Sequence, residues 1–172
     1  MPIVIIIALM IIGIFVFAWT KPNTISIQRV ADIKATPEQI FELINNFRNW
    51  PAWSPQDKSD CTMKRTFGET ASGQGATSEW TSKGRAGTGR MEMIESIAPV
   101  KITVKVELFK PFQACNINEF TLEPLDNMTR LTWAMRGTNP YLAKMMSIFV
   151  NMDRMMGKHF EAGLDSLKTL SE

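Results

Sequence analysis

Apolar and polar residues alternate repeatedly between Asp60 and Gly137. The apolar members of two such stretches are Ile102, Val104, Val106 and Leu108, and then Leu131, Trp133 and Met135. A period of two places successive side chains on opposite faces of a β-strand. The pattern therefore predicts an antiparallel sheet with one covered face, and another part of the chain must cover that face.

Two glycine-rich segments, Gly68–Gly75 and Gly84–Gly89, divide this region. Neither matches a P-loop or the strand-to-helix fingerprint of a dinucleotide site. Ala98-Pro99 and Lys110-Pro111 add further breaks, and residues 124–127 form a turn signal. These segments are typical of hairpin connections between short strands.

A single amphipathic helix is predicted from Pro140 to about Leu170, and it is the natural cover for the sheet. Its apolar residues recur at helical spacing along one stripe: Leu142, Met145, Met146, Phe149, Met152, Met156, Phe160, Leu164 and Leu167. The chain has 12 methionines in all. Flexible thioethers suit a core or a pocket whose shape must adapt to its contents.

A strand and a short helix are predicted before the sheet region. Residues 24–34 are predicted to form a strand. Ile25 and Ile27 follow the alternation of apolar and polar residues, and Ile33 is taken to follow it only after a shift in that alternation. Residues 36–39 then form a capping box, with Thr at the N-cap, Pro at the first helical position and Gln at the third. The helix ends before Trp50–Pro55, where two prolines interrupt the chain and two indoles offer large anchors.

An uninterrupted apolar segment occupies the N-terminus, where every residue from Ile3 to Trp19 is apolar or Gly. Its length is at the short end of the roughly 17 to 25 residues that cross a bilayer. No basic residue precedes it and the following residues form a poor cleavage site, which favours an anchor over a cleaved signal peptide. We expect a transmembrane anchor over residues 1–20, a linker over 21–24 and a domain over 25–172. Because basic residues follow the run, we expect the domain to lie on the cytoplasmic side.

Several segments after residue 24 resemble the SRPBCC (START-related) superfamily, whose members have the helix-grip fold. The resemblance is closest to the small bacterial polyketide cyclase/dehydrase and lipid transport proteins. The segments that carry it are 33–41, 50–55, 131–137, 152–153 and 160–168. It implies an α+β fold in which a curved antiparallel sheet wraps around the long C-terminal helix, here preceded by the transmembrane helix. The two elements would enclose an apolar cavity.

Strand parity, combined with this resemblance, gives a set of candidate cavity-lining residues. From the sheet they are Trp80, Met91, Met93, Val104, Val106, Leu108, Phe120, Leu122, Trp133 and Met135, and from the helix Met145, Phe149, Met152, Asp153 and Met156. For each apolar residue, plain core packing remains the alternative to ligand contact.

Asp153 is the anomaly on the helix, because helical spacing places its carboxylate between Phe149 and Met156 on the apolar stripe. A carboxylate there needs hydrogen-bond partners, a proton or a wet cavity. It is therefore either a structural group bonded to the backbone, a tryptophan or an arginine, or a polar anchor for a ligand. His159, the one histidine, falls at the edge of the stripe, as a surface residue would, and Tyr141 precedes the stripe and either packs or closes a pocket mouth.

Composition excludes other classes of function. The formal net charge is +2 from 19 basic and 17 acidic residues without long blocks, so nucleic acid is not an expected partner. One histidine and two separated cysteines, Cys61 and Cys115, give no metal-binding spacing, although one disulfide between them stays open. We expect neither metal nor cofactor.

The function expected from these observations is binding or transfer of a hydrophobic small molecule beside a membrane. A lipid, an isoprenoid or a polyketide-like molecule would suit the cavity, and the bacterial inner membrane is the expected location. The alternative is a cyclase- or hydrolase-type enzyme in which Asp153 or His159 acts as acid or base. A third possibility is a structural role for a domain whose core is filled.

Overall fold

The computed structural model of the chain describes residues 13, 15–84, 86–111, 113–139, 144–145, 147 and 151–172. The predicted anchor over residues 1–20 therefore lies largely outside the described residues, although 15–20 are helical. Within those described ranges, no helix combines the length and the hydropathy that crossing a membrane requires.

Seven antiparallel strands form one sheet in the order β1-β7-β6-β5-β4-β3-β2. The strands are β1 Thr24–Ile33, β2 Lys64–Phe67, β3 Thr77–Thr81, β4 Thr88–Ile97, β5 Lys101–Lys110, β6 Ala114–Leu125 and β7 Met128–Thr138. From β2 to β7 each strand pairs with the next along the chain, and β1 closes the order by pairing with β7. Both glycine-rich segments connect neighbouring strands, so the predicted hairpin connections are confirmed.

The helices that pack with the sheet in the described residues are α1 Pro37–Asn45, α2 Trp50–Trp53, α3 Pro55–Ser59 and α4 Met152–Ser171, with a 3₁₀ turn at Phe47–Asn49. The predicted capping box is confirmed at the start of α1. The Thr36 hydroxyl accepts from the backbone N–H of Gln39, and the Gln39 side chain accepts in return from the N–H of Thr36. The sheet and α4 together give the predicted α+β helix-grip architecture.

The long C-terminal helix begins later than the sequence predicts. Asn151 has an extended backbone, and its side chain accepts a hydrogen bond at 2.9 Å from the N–H of Arg154. This N-cap starts α4 at Met152, so the prediction of one continuous helix from Pro140 is wrong at Asn151. An asparagine side chain that bonds the first-turn N–H groups competes with continued helix at that point.

The predicted phase shift in β1 is also wrong. Ile25, Ile27 and Ile33 all lie on the face of the sheet that packs against the helices, which we call the inner face. Arg29 and Ala31 occupy the positions between them without a break in the pairing with β7. Arg29 is a polar residue at a position where the alternation calls for an apolar one, so the pattern in the sequence looked broken. Its side chain begins on the inner face, like those of Ile27 and Ile33.

The two ends of the sheet are named here by the directions of β1 and β7. The near end is where β1 begins and β7 ends, and the far end is where β1 ends and β7 begins, since Thr24 pairs with Thr138 and Ile33 with Thr129. Helix α4 ends at the far end, where the Glu172 side chain accepts from the N–H of Lys34 at 2.9 Å.

An aromatic cluster fills the space between the inner face and the helices toward the far end. Trp133 of β7 stacks on Phe160 of α4 with ring centroids 4.2 Å apart and planes 4° from parallel. Trp53 meets Trp133 edge to face at 5.7 Å, and Phe120 lies 5.0 Å from Trp133. Gly163 allows this contact, because a Cβ there would lie 2.7 Å from the Trp133 ring.

One ion pair at the far end predicts acid sensitivity. Arg130 donates two hydrogen bonds to Asp32 across β1 and β7, at 2.8 and 3.0 Å, and these bonds lower the pKa of Asp32. The stabilisation is present above the unfolded-state value of about 3.9 and is lost as the pH falls through the lowered folded-state pKa. We expect Asp32→Asn to reduce the loss of melting temperature between neutral and acidic pH.

Thermal unfolding of the full chain across that pH range measures the effect. Glu69→Gln, which changes an exposed carboxylate in the β2–β3 connection, is the control and should follow the wild type. Parallel pH profiles for wild type and Asp32→Asn would contradict the prediction.

Candidate functional site

On β5, β6 and β7 the inner-face residues are buried in the middle of the strands and only half-buried at the near end. On β5, Ile102 and Val104 have no exposed surface, whereas Val106 and Leu108 remain partly exposed. On α4 the same change separates the buried Leu164 from the half-buried Met156. The near half of the interface between sheet and helix is therefore incompletely filled by the described side chains.

We call this near half the groove. It is bounded by α4 on one side and by strands β5, β6 and β7 below, and its residues are Arg29, Val106, Leu108, Asn116, Asn118, Met135 and Met156. From β1 to β5 there are three strand spacings of about 4.8 Å, so the backbones of the four strands beneath the groove span about 14 Å.

The structure places most of the predicted lining residues on the inner face. The fully or largely buried ones are Trp80, Met91, Met93, Val104, Phe120, Leu122, Trp133 and Met135. Val106, Leu108, Met145 and Met156 are half-buried. Phe149 and the side chain of Met152 lie outside the described residues. Phe120 and Trp133 belong to the aromatic cluster, which fills their surroundings, so Val106, Leu108, Met135 and Met156 are the predicted residues that border the groove.

Two asparagines on β6 add polar groups that sequence reasoning missed. The Asn118 side chain is buried, and its Oδ1 atom accepts from the indole N–H of Trp133 at 3.0 Å. Nothing in the described part of the chain bonds to its Nδ2 atom or to the side chain of Asn116. Both residues alternate with Phe120 and Leu122 on the inner face, and this parity is the signal by which the sequence could have identified them.

Asn116 is held over a glycine. A Cβ placed on Gly137 of β7 would lie 1.8 Å from the Asn116 Oδ1 atom, so this amide occupies the space that a side chain at position 137 would take. Asn116 of β6 pairs with Gly137 of β7 close to that end of the sheet where β7 ends. The amide therefore lies flat on the inner face, where it can donate to or accept from a molecule in the groove.

Arg29 closes the helix side of the groove and binds α4. Its guanidinium donates to the carboxylates of Glu161 at 2.8 Å and Asp153 at 3.2 Å, and to the backbone carbonyl of Asp153. These hydrogen bonds raise the pKa of Arg29, that from Asp153 contributing most. Gly157 makes the approach possible, since a Cβ there would lie 1.8 Å from the arginine Nη2 atom.

The predicted acid–base candidates lie at the surface. The Asp153 side chain is 64 % exposed and is paired with Arg29, as in the structural alternative raised for it. His159 is exposed as well. Neighbouring protein atoms nevertheless displace part of the water around its imidazole, and this desolvation lowers the pKa of His159. Tyr141 lies outside the described residues. The part these groups play toward a ligand stays a prediction.

Two surface clefts lie away from the groove. One, of about 490 Å³, is lined by charged and apolar residues that include Arg48, Asp57, Cys61 and Arg65. The other, of about 400 Å³, lies at the far end beside the start of α1. Neither contains a predicted lining residue.

The described residues contain no cluster of three or more His, Cys, Asp or Glu side chains able to hold a metal ion. Cys61 and Cys115 are free thiols, so the disulfide that the sequence left open is not formed.

Comparison with solved structures finds the same fold in distant proteins. Protein CV1439 from Chromobacterium violaceum matches with a TM-score of 0.60 and 18% identity, over 88% of this chain and 99% of that one. The Aha1 dimer from Colwellia psychrerythraea matches with 0.58 and 18%, over 86% and 96%. The di-domain ARO/CYC StfQ of the steffimycin biosynthetic pathway matches with 0.66 and 10%, over 87% of this chain and 51% of that one.

The family comparison is more specific than these structural likenesses, which at such low identity show the fold alone. No curated protein sequence matches the chain. The sequence model described as "Polyketide cyclase / dehydrase and lipid transport" matches residues 24–172, from the first residue of β1 to the residue that follows α4. The predicted family is therefore confirmed, and the chain belongs to the polyketide cyclase/dehydrase and lipid transport family.

Proposed function

We propose that this protein binds a hydrophobic small molecule, such as a lipid or an isoprenoid, in the groove, and does so while anchored to a membrane by residues 1–20. The half-burial of Val106, Leu108 and Met156, beside fully buried residues on the same elements, carries the proposal. Covering such apolar surface with a ligand contributes about 2.5 kcal/mol for each 100 Å² removed from water.

The polar groups of the groove suit a ligand with a small head group. A site of this kind is mostly apolar and uses a few placed polar groups for orientation. The amides of Asn116 and Asn118 donate and accept, so they recognise a hydroxyl, carbonyl or carboxyl group. Arg29 is already neutralised by Asp153 and Glu161, and it contributes mainly by holding α4 in place.

The anchor supports this function because it raises the effective concentration of membrane lipid at the groove. The apolar run from Ile3 to Trp19 and the basic residues after it support a single span of the bacterial inner membrane, with the domain in the cytoplasm. A tethered site meets membrane lipid at a high effective concentration, so moderate affinity is enough for occupancy.

Photocrosslinking of the full chain in vesicles tests the proposal. The probe is a phosphatidylcholine with a diazirine in one acyl chain, and mass spectrometry of the digested protein locates the label. We expect label on the peptides that contain Val106 and Met156. Val106→Trp should reduce this label several-fold, because the larger side chain fills the groove.

Val30→Trp is the matched control, since Val30 is a valine on the opposite face of β1 with 49% of its surface exposed. We expect it to leave labelling of the groove unchanged. Label on residues 1–20 is the internal standard for membrane insertion. Wild-type protein labelled only in residues 1–20 would contradict binding in the groove.

A further inference from the structure

The N-terminal segment enters the domain at the near end. Asn139 donates from its side chain to the carbonyl of Pro22 at 3.0 Å and from its N–H to the carbonyl of Asn23 at 2.7 Å. Lys144 donates to the Asn23 side chain at 2.5 Å, and Thr24 is then the first residue of β1. The chain is thus fastened to the near end immediately after the apolar run.

The linker is too short to let the domain move far from the end of that run. Between Trp19 and Thr24 lie four residues, so the two Cα atoms are at most about 18 Å apart when the chain is fully extended. Trp19 is 79% exposed, and Lys21 lies with its Nζ atom 4.9 Å from the centre of the Phe17 ring. An exposed tryptophan followed by a lysine is the pattern of a membrane–water interface.

The surface of the near end has the composition of a membrane contact. Exposed lysines and an arginine lie at its strand ends and loops: Lys64, Lys83, Lys110 and Arg136. Phe109, one residue from the end of β5, is 51% exposed. Acidic residues near it include Asp60 and Asp153, whose carboxylates accept hydrogen bonds from Ser82 and Arg29. At the far end, acidic residues such as Glu38, Asp126 and Glu172 accompany the basic ones. The near end is therefore the more basic of the two, as an anionic lipid surface requires.

We propose that the near end rests on the lipid surface, with the mouth of the groove facing the bilayer, so that a ligand passes between membrane and groove without crossing bulk water. This orientation rests on the proposed function, which supplies the groove and the anchor. It adds which end of the domain faces the membrane. Phe109 inserts among the head groups, and Lys83 and Lys110 contact anionic phosphates.

Spin labels at matched positions test the orientation in the full chain. A nitroxide is placed at Phe109→Cys or at Ile97→Cys, with Cys61 and Cys115 replaced by serine, in vesicles of phosphatidylcholine and phosphatidylglycerol. Phe109 and Ile97 are 51% and 50% exposed and lie at opposite ends of the β4–β5 hairpin. They are separated along the sheet by roughly 26 Å.

We expect the ratio of oxygen to nickel-chelate collision rates to be several-fold higher at position 109 than at position 97. Equal, water-like ratios at both positions would overturn the orientation. The lipid photocrosslink to the groove distinguishes the two proposals: if it persists while position 109 is in water, only the orientation fails. Absence of that crosslink contradicts the binding function itself.

Lysine acetylation of the unsubstituted chain gives a second test that needs no variant. In the same vesicles Lys83 and Lys110 should react several-fold more slowly than in vesicles without phosphatidylglycerol, because anionic lipid covers them. Lys34, exposed at the far end, is the internal control and should react equally in both. Equal reactivity of Lys83 and Lys110 in the two vesicle types would also overturn the proposal.

Discussion

Replacing Trp133 with alanine is expected to lower the free energy of unfolding by about 3–5 kcal/mol, the range for removing a large aromatic side chain from a core. Trp133 stacks on Phe160, contacts Trp53 and Phe120, and joins the sheet to α4. Its loss opens a cavity at the centre of the aromatic cluster and leaves the Asn118 Oδ1 atom without its donor. Denaturant unfolding of the full chain in detergent, followed by far-UV circular dichroism, measures the change.

Two further variants test this explanation, one at Trp133 itself and one at an exposed tryptophan. Trp133→Phe keeps much of the ring contact but removes the hydrogen bond to Asn118, so we expect a cost of about 1–2 kcal/mol. Trp19→Ala removes an indole that is 79% exposed and should change stability by less than about 0.5 kcal/mol. Equal costs for Trp133→Ala and Trp19→Ala would show that the aromatic cluster does not hold the helix to the sheet.

The second large effect is expected at the buried ion pair of Arg65 and Asp57. Two parallel hydrogen bonds of 2.5 and 2.7 Å join the guanidinium of β2 to the carboxylate of α3. The side chains are only 7% and 8% exposed. Arg65→Met leaves the carboxylate buried without its partner, and we expect it to cost about 3–5 kcal/mol of unfolding free energy.

The double variant Arg65→Met/Asp57→Leu tests this explanation. Removing both charges also removes the uncompensated desolvation, so most of the lost stability should return. Arg130→Met, which breaks the more exposed pair with Asp32, serves as the comparison and should cost much less. A double variant no more stable than Arg65→Met would show that packing by the arginine, rather than charge pairing, stabilises this corner.

The stability predictions and the binding proposal concern opposite halves of one interface. The aromatic cluster holds α4 against the far half of the sheet, and this fixes the helix beside the groove in the near half. Arg29 adds a second attachment at the boundary through Asp153 and Glu161. A rigid far half and an incompletely filled near half allow ligand binding without unfolding of the core.

Local patterns were sufficient to predict most of the strands and helices, although not the start of α4 at Met152. The period of two in β5 and β7, the capping box of α1 and the apolar stripe of α4 each depend on residues within a few positions of one another. Backbone sterics and side-chain direction translate such patterns into strands and helices without reference to the rest of the chain. The family resemblance, carried by segments such as Trp50–Pro55, supplied the way these elements pack.

Only the tertiary structure decided which residues border the groove and which fill the core. Val104 and Val106 have the same local pattern in the sequence, yet the first is fully buried and the second is not, because burial depends on what lies opposite in space. Asp153 was predicted on the apolar stripe, but it is exposed and bound to Arg29, 124 residues away in the chain. Contacts between residues so distant in sequence depend on strand order and helix placement, which a local pattern does not contain.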